Sequence, residues 1–168
     1  FFGDFNNPES RGNANNLIEI HNPQLANLFT EEFNLMWGDG WGGQFDSKFG
    51  LQKPLRDSQQ IIVGNSVVEV HFSPTSSTIP WYLSSNGLIA RTLDIAETEI
   101  DLALFVFSEQ NIANLLEAKH QNQVTIKALI DPGFAFRYYS EALDMLGVTL
   151  NNKCKTEVNN HPWQVPIQ

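Results

Sequence analysis

The sequence predicts an α/β fold, mainly parallel sheet with helices on both faces. Two apolar runs carry that expectation. Ile100 to Phe107 is near-continuous in apolar residues, the mark of a strand covered on both faces, and Val124 to Ile130 repeats the pattern. Between them lies a stretch of helical length with Ile112, Leu115 and Leu116 at helical spacing, and strand, helix, strand at these lengths makes a right-handed parallel crossover. The third observation is bulk: 168 residues, 42% of them hydrophobic, suffice for one real core.

Taken in order, Phe1-Phe2-Gly3-Asp4-Phe5 reads as the tail of a buried strand. Leu17-Ile18-Glu19-Ile20 reads as a second short strand after an Asn-, Pro- and Gly-rich loop. Asn22 is a helix cap with Pro23 in the first turn, where its missing N–H costs nothing, and Gly38 is the stop. Leu25, Leu28, Phe29, Phe33 and Met36 fall on one stripe of that helix, the expected core face. From Gly38 to Gln60 five glycines and neither period indicate a linker. Ile61 to Val63, a Gly64-Asn65 turn and Val67 to Phe72 predict a hairpin. Ser84 or Ser85 caps a helix running to about Glu97. Ser108 caps the helix after the first apolar run. Phe134 to Leu146 is the next helix, Gly147 its stop, Val148 to Leu150 a last strand, and the pattern fades into a polar tail from Asn151.

Charge narrows the partners. A net charge of −9 repels a phosphate backbone at long range, which disfavours broad duplex binding while leaving room for a small phosphate site. The one cysteine, Cys154, excludes an internal disulfide and has no His or Cys at metal-ligand spacing. No run approaches the roughly 18 apolar residues of a membrane helix, so no transmembrane segment is expected. His21, His71, His120 and His161 form no metal pair, and neither a Gly-x-Ser-x-Gly elbow nor a phosphate-binding glycine loop occurs; no metal or cofactor is expected. Ligands of an open parallel sheet gather at the carboxyl ends of its strands. Ser73, Ser108 and Asp131 stand at three such predicted ends, where capping is the structural reading and an anion pocket the functional one.

The order of elements and motifs adds a resemblance. Val70-His71-Phe72-Ser73-Pro74, the Ile100 to Phe107 run followed by Ser108-Glu109-Gln110-Asn111-Ile112, then Ile126 to Asp131 and Tyr139 to Gly147-Val148 resemble the first half of a phospholipase D-like module. The likeness is to the bacterial phosphodiesterase and nuclease branch. Gly3-Asp4-Phe5-Asn6 is similar to that family's Gly-Ser-x-Asn, Asn13-Ala14-Asn15-Asn16 stands where the family often has Asn-x-Glu-Asn, and Pro23 to Trp37 resembles the module-closing helix. Asp4 replaces the usual Ser and Asn15 the Glu. Residues 1–37 then correspond to the end of one module, 38–60 to a linker and 61–168 to the start of the next.

The resemblance implies phosphodiester hydrolysis through a phosphohistidine, with Asn6 in the catalytic constellation and Ser73, Ser108 and Asp131 around the phosphate. The family's His-x-Lys is missing from these 168 residues, so the chain is expected to be a fragment, inactive alone. The intact protein's substrate would be nucleic acid or phospholipid. The N-terminal strands are expected to add to the sheet of residues 67 to 150, within one chain or in a homodimer or strand-exchanged dimer. The alternative function is a non-catalytic α/β binding domain using the Gly-rich linker, with Trp37 and Trp41 as its aromatic patch.

Overall fold

Residues 17–38, 46–73, 78–148 and 161–167 are described by a computed structural model of the chain. Two compact units emerge, one drawn from residues 1–47 and 60–68, the other from 48–59 and 69–168. The expected strand at Phe1 to Phe5, together with Asn6, Trp41 and Cys154, lies outside the described residues.

In the first unit Asn22 is extended and its side-chain oxygen accepts the Leu25 N–H at 2.9 Å, satisfying a donor that the first helical turn leaves over. Helix α1 runs from there, Pro23–Trp37, and ends at Gly38, whose φ of 80° suits glycine. The expected core stripe splits in two. Leu25 turns inward, whereas Phe29 and Phe33 are each 54% exposed. At helical spacing Phe29, Phe33 and Trp37 form their own ridge, and Phe33 stacks on Trp37 with centroids 5.6 Å apart. The expected strand at Leu17 to Ile20 is irregular, with Leu17 and Ile18 exposed: no paired neighbour among the described residues supplies a ladder for it. Strands β1 (Gln59–Val63) and β2 (Ser66–Val70) pair as the predicted hairpin. Gly64, with φ of 61°, makes the left-handed turn a two-residue connection needs.

The larger unit is built on β3 (Glu99–Leu104) and β4 (Thr125–Ile130), parallel neighbours with Ile100 beside Ile126 and Leu102 beside Ala128. They are joined by α3, Gln110–Gln121, and preceded by α2, Ser85–Asp94. Ser84 caps α2 by accepting the Gly87 N–H at 3.1 Å. Gly87 is required by close approach, since a Cβ there would sit 2.5 Å from the Tyr82 carbonyl. Ile100, Ile126, Ala90, Ile112, Ala113 and Leu116 form the core between sheet and helices.

Three expectations are corrected in this unit. First, β3 stops at Leu104, and burial alternates along both strands. Helices cover one face; the other carries Glu99, Asp101, Thr125 and Lys127, with Leu129 75% and Phe105 66% exposed. The parallel sheet among the described residues therefore has two strands and one bare face, and the structure is mixed α/β with one two-stranded sheet of each kind. Second, the helix expected over Phe134 to Leu146 is broken into α4 (Pro132–Ala135) and α5 (Glu141–Met145). Ser140 recaps the chain by accepting the Ala142 N–H, and Glu141 gives its N–H to the Phe107 carbonyl rather than to the preceding turn. Third, the tail does not fade. Residues 161–167 strap the unit, with Trp163 only 3% exposed in the core and its ring stacked on His120 at 5.7 Å. Trp163 N–H bonds the Asp144 carbonyl at 2.8 Å and Ile167 N–H the Met145 carbonyl at 3.0 Å.

On the bare face Lys127 pairs with Glu99 and lies 4.0 Å from Asp101. Its hydrogen bond and charge hold the Glu99 carboxyl below the usual carboxylate range, and Glu99 in turn raises the Lys127 ammonium. The pair's contribution is complete at neutral pH. It is lost on the acid side as pH falls through the lowered Glu99 value, and on the alkaline side as pH rises through the raised Lys127 value. An NMR titration should find Glu99 protonating below the usual carboxylate range, and Lys127→Met should return it toward that range. Both groups are solvated, so the change in overall stability should be small.

Candidate functional site

The crossover brings Ser108 and Asp131 to one end of the sheet. Asp131 follows β4 directly and its N–H bonds the Leu104 carbonyl at 3.2 Å, while Phe105 packs against Phe134 with centroids 4.5 Å apart. Ser73 is elsewhere in the topology: it follows β2, which pairs with β1 and not with β3 or β4. Its carbonyl accepts the Lys53 ammonium at 2.5 Å. Asn6 is outside the described residues, so the predicted set is reduced to a pair.

Capping divides that pair. Asp131 has the structural role: its Oδ1 accepts the Gly133 N–H at 2.8 Å and starts α4. Ser108 does not cap α3, contrary to the sequence expectation. Glu109 does, accepting the Asn111 N–H at 3.2 Å and the Asn111 side-chain amide at 2.9 Å. A carboxylate is the stronger acceptor for a helix start, because charge-assisted bonds and the helix dipole both favour it. Ser108 is left exposed at the rim of a groove of about 290 Å³ walled by Ile89, Leu93, Leu104, Val106 and Ile112. Asn86 closes the rim by donating to Glu109 Oε2 at 2.8 Å.

Chemically, both helix starts at this end already hold a carboxylate of the chain. An anion arriving beside Ser108 would meet Glu109, and one beside α4 would meet Asp131, so neither start is a ready anion seat. What remains is the Ser108 hydroxyl, without a side-chain hydrogen bond among the described residues, over an apolar groove; Arg137, in the segment after α4, is exposed and donates to the Gly133 carbonyl at 2.9 Å. The Asn86–Glu109 contact escaped sequence reasoning; Ser108 and Glu109 are adjacent possible caps, and only the backbone path selects between them. Ser108→Ala should therefore change stability by no more than about 0.5 kcal/mol, while Glu109→Ala should cost about 1 kcal/mol. Denaturant unfolding of the two variants checks the assignment.

The histidines are dispersed. His21 meets Glu19 at 2.9 Å on the surface, His71 Nδ1 lies 2.8 Å from Ser85 Oγ, His120 stacks on Trp163, and the His161 N–H bonds Asp144 Oδ1 at 3.1 Å. Among the described residues no three His, Cys, Asp or Glu side chains are grouped to hold a metal ion, and no helix is long and apolar enough to cross a membrane. No protein-family model matches the chain, and no curated protein or solved structure does either.

Proposed function

We propose that the chain is part of a phospholipase D-like phosphodiesterase, residues 1–37 ending one module, 38–60 linking, and 61–168 beginning the next. The supporting observation is the parallel β3–α3–β4 crossover, which carries Ser108 and Asp131 to neighbouring carboxyl ends in the chain order the family uses. In such an enzyme a histidine attacks phosphorus and displaces one alcohol, a second histidine protonates that leaving group, and water then releases the phosphate from the first. Lysine and asparagine donors hold the phosphate oxygens as charge develops. Ser108 and Asp131 are the described residues this chain would contribute to such a site, with Asn6 the asparagine that the resemblance adds, and the nucleophile with its lysine is not among them. Substrate is any phosphodiester of that kind, nucleic acid or phospholipid, and the intact site forms within one chain or across a homodimer.

Two experiments bear on this. Incubated with bis(p-nitrophenyl) phosphate in chelator, the 168-residue chain should release nitrophenol only at the buffer rate; sustained turnover abolished by His71→Ala or His120→Ala would overturn the assignment of the nucleophile to residues outside it. Reading the encoding gene past Gln168 decides the family itself: a His-x-Lys followed by an Asp supports it, and its absence overturns it.

A second reading draws on the exposed Phe29, Phe33 and Trp37 ridge of α1. An aromatic row of this kind on a helix suits a non-catalytic binding domain. Trp37 fluorescence that shifts on addition of a protein partner, with phosphodiester binding absent, would favour it.

A further inference from the structure

The segment between β4 and α5 is an arch with both feet on the end of β3. At one foot the Asp131 N–H bonds the Leu104 carbonyl at 3.2 Å, and at the other the Glu141 N–H bonds the Phe107 carbonyl at 3.0 Å. Two turns fix its course, with Arg137 N–H on the Phe134 carbonyl at 3.1 Å and Ser140 N–H on the Arg137 carbonyl at 2.9 Å. The arch therefore spans the carboxyl ends of both strands, the end that carries Ser108 and Asp131. It reads Phe134-Ala135-Phe136-Arg137-Tyr138-Tyr139, and only Ala135 of these is buried. Phe136 is 64% exposed and Tyr138 41%, the latter set edge-on against Tyr139 with centroids 5.1 Å apart. Phe105 leans on Phe134 from the bare face of β3 and adds a third exposed ring. Rings of this size left in water, on a frame held by backbone bonds, mark a contact surface.

Arg137 is the cation of that surface. Arg91, Lys119 and Lys127 each lie against a carboxylate, of Glu69, Asp94 and Glu99 in turn. Arg137 has no carboxylate partner among the described residues; its Nε donates to the Gly133 carbonyl at 2.9 Å. That bond orients the guanidinium and leaves its terminal nitrogens for an outside acceptor, where their fork matches a phosphate. The carboxylates of this end do not oppose it directly, since Glu109 and Asp131 are engaged by the Asn111 and Gly133 N–H groups.

We infer that Phe105, Phe136 and Tyr138, with Arg137 between them, form a stacking platform for the bases of single-stranded nucleic acid. This names the substrate class of the site proposed above and rests on that reading for any chemistry, whereas binding to the platform needs no hydrolysis. The charge of the chain selects the occupant. At −9 it repels the dense phosphates of a duplex and the headgroups of an anionic membrane, and one arginine is no polybasic patch. Stacking of an unpaired base on a ring is neutral and sequence-tolerant, so it survives that field, and a single phosphate suffices for Arg137. A duplex hides the base faces that the rings would meet.

Anisotropy of a fluorescein-labelled oligothymidylate, titrated with the whole 168-residue chain in chelator, tests this apart from hydrolysis. Binding should saturate, and the same strand annealed to its complement, or one of abasic sugar and phosphate, should stay free. A fourfold rise in salt should weaken binding only about threefold, the slope for one phosphate contact on a single strand. Phe136→Ala and Tyr138→Ala should each weaken it about tenfold, and Phe136→Trp should retain it. Equal binding of duplex or abasic strand, or unchanged affinity in Phe136→Ala, would overturn the platform. So would uptake on phosphatidylcholine vesicles through Phe136 with the oligonucleotide left free, which would make the patch a lipid surface. Should Phe136→Ala lower the unfolding midpoint, Phe136→Leu decides: weakened binding at an unchanged midpoint supports stacking, and full affinity refutes it. The outcome is separable from the family: oligonucleotide binding stands without a His-x-Lys beyond Gln168, and a His-x-Lys there does not rescue a platform that binds nothing.

Discussion

Trp163→Ala is expected to destabilise the larger unit by about 3–5 kcal/mol, the range for removing a large aromatic from a core. The ring is 3% exposed and belongs to the same cluster as Ile112, Leu116 and Met145. Its loss empties a site that cannot collapse, because the main chain on either side is bonded to Asp144, Glu117 and Met145. Denaturant unfolding should find the midpoint lowered with the slope little changed. A loss under 1 kcal/mol would mean that the strap is peripheral. Trp163→Phe, which keeps most of the apolar volume, should recover a substantial part of the loss.

The second large effect is at Asp144, 1% exposed on α5. Its Oδ1 accepts the His161 N–H at 3.1 Å and its Oδ2 the Gln110 side-chain amide at 3.0 Å. Asp144→Ala removes the acceptor of the His161 N–H and one of the two acceptors of the Gln110 amide, which keeps its 3.0 Å bond to Asn114 Oδ1, and a cost of about 1–3 kcal/mol follows. Asp144→Asn should cost less. Gln110 Oε1 is buried without a bond, so a flip of that amide lets it accept from the new side-chain nitrogen. Thermal melts of the two variants should order them as unaltered chain, Asp144→Asn, Asp144→Ala. Equal losses would show that the charge itself, not the hydrogen-bond pattern, holds the strap.

How much of this could be read beforehand follows from which physical signals are local. Helix α1 was legible because Asn22, Pro23 and Gly38 act on their own neighbours. The crossover was legible because two apolar strands of that length flanking an amphipathic segment admit few packings. The split of the α1 stripe was not, since Phe29 and Phe33 differ from Leu25 only in which ridge meets the rest of the unit. The bare face of β3 was hidden for a related reason. An apolar run signals strand, but whether Phe105 and Leu129 are covered depends on elements elsewhere in the sequence. The break at Phe136 to Ser140 turned on a bond from Glu141 to Phe107, distant along the chain. At the candidate site the positions of Ser108 and Asp131 were legible from the strand ends, and the choice of Glu109 over Ser108 as the cap was not. Ser73 follows β2, which the sequence assigned to a hairpin with β1, and five residues carry no signal of whether such a strand also borders a parallel sheet.

The strap also sets a schedule. Trp163 and Ile167 close a core whose other members lie between Ala90 and Met145, so that core stays open while the intervening residues are still being made. At synthesis rates of roughly 5–20 residues per second, added to the stretch hidden in the exit tunnel, the helix α3 surface waits seconds for its cover. During that interval Leu116 and His120 lack the Trp163 ring that packs on them in the folded unit. Emergence of Trp163 and Ile167, rather than completion of the crossover, is the step that closes this core.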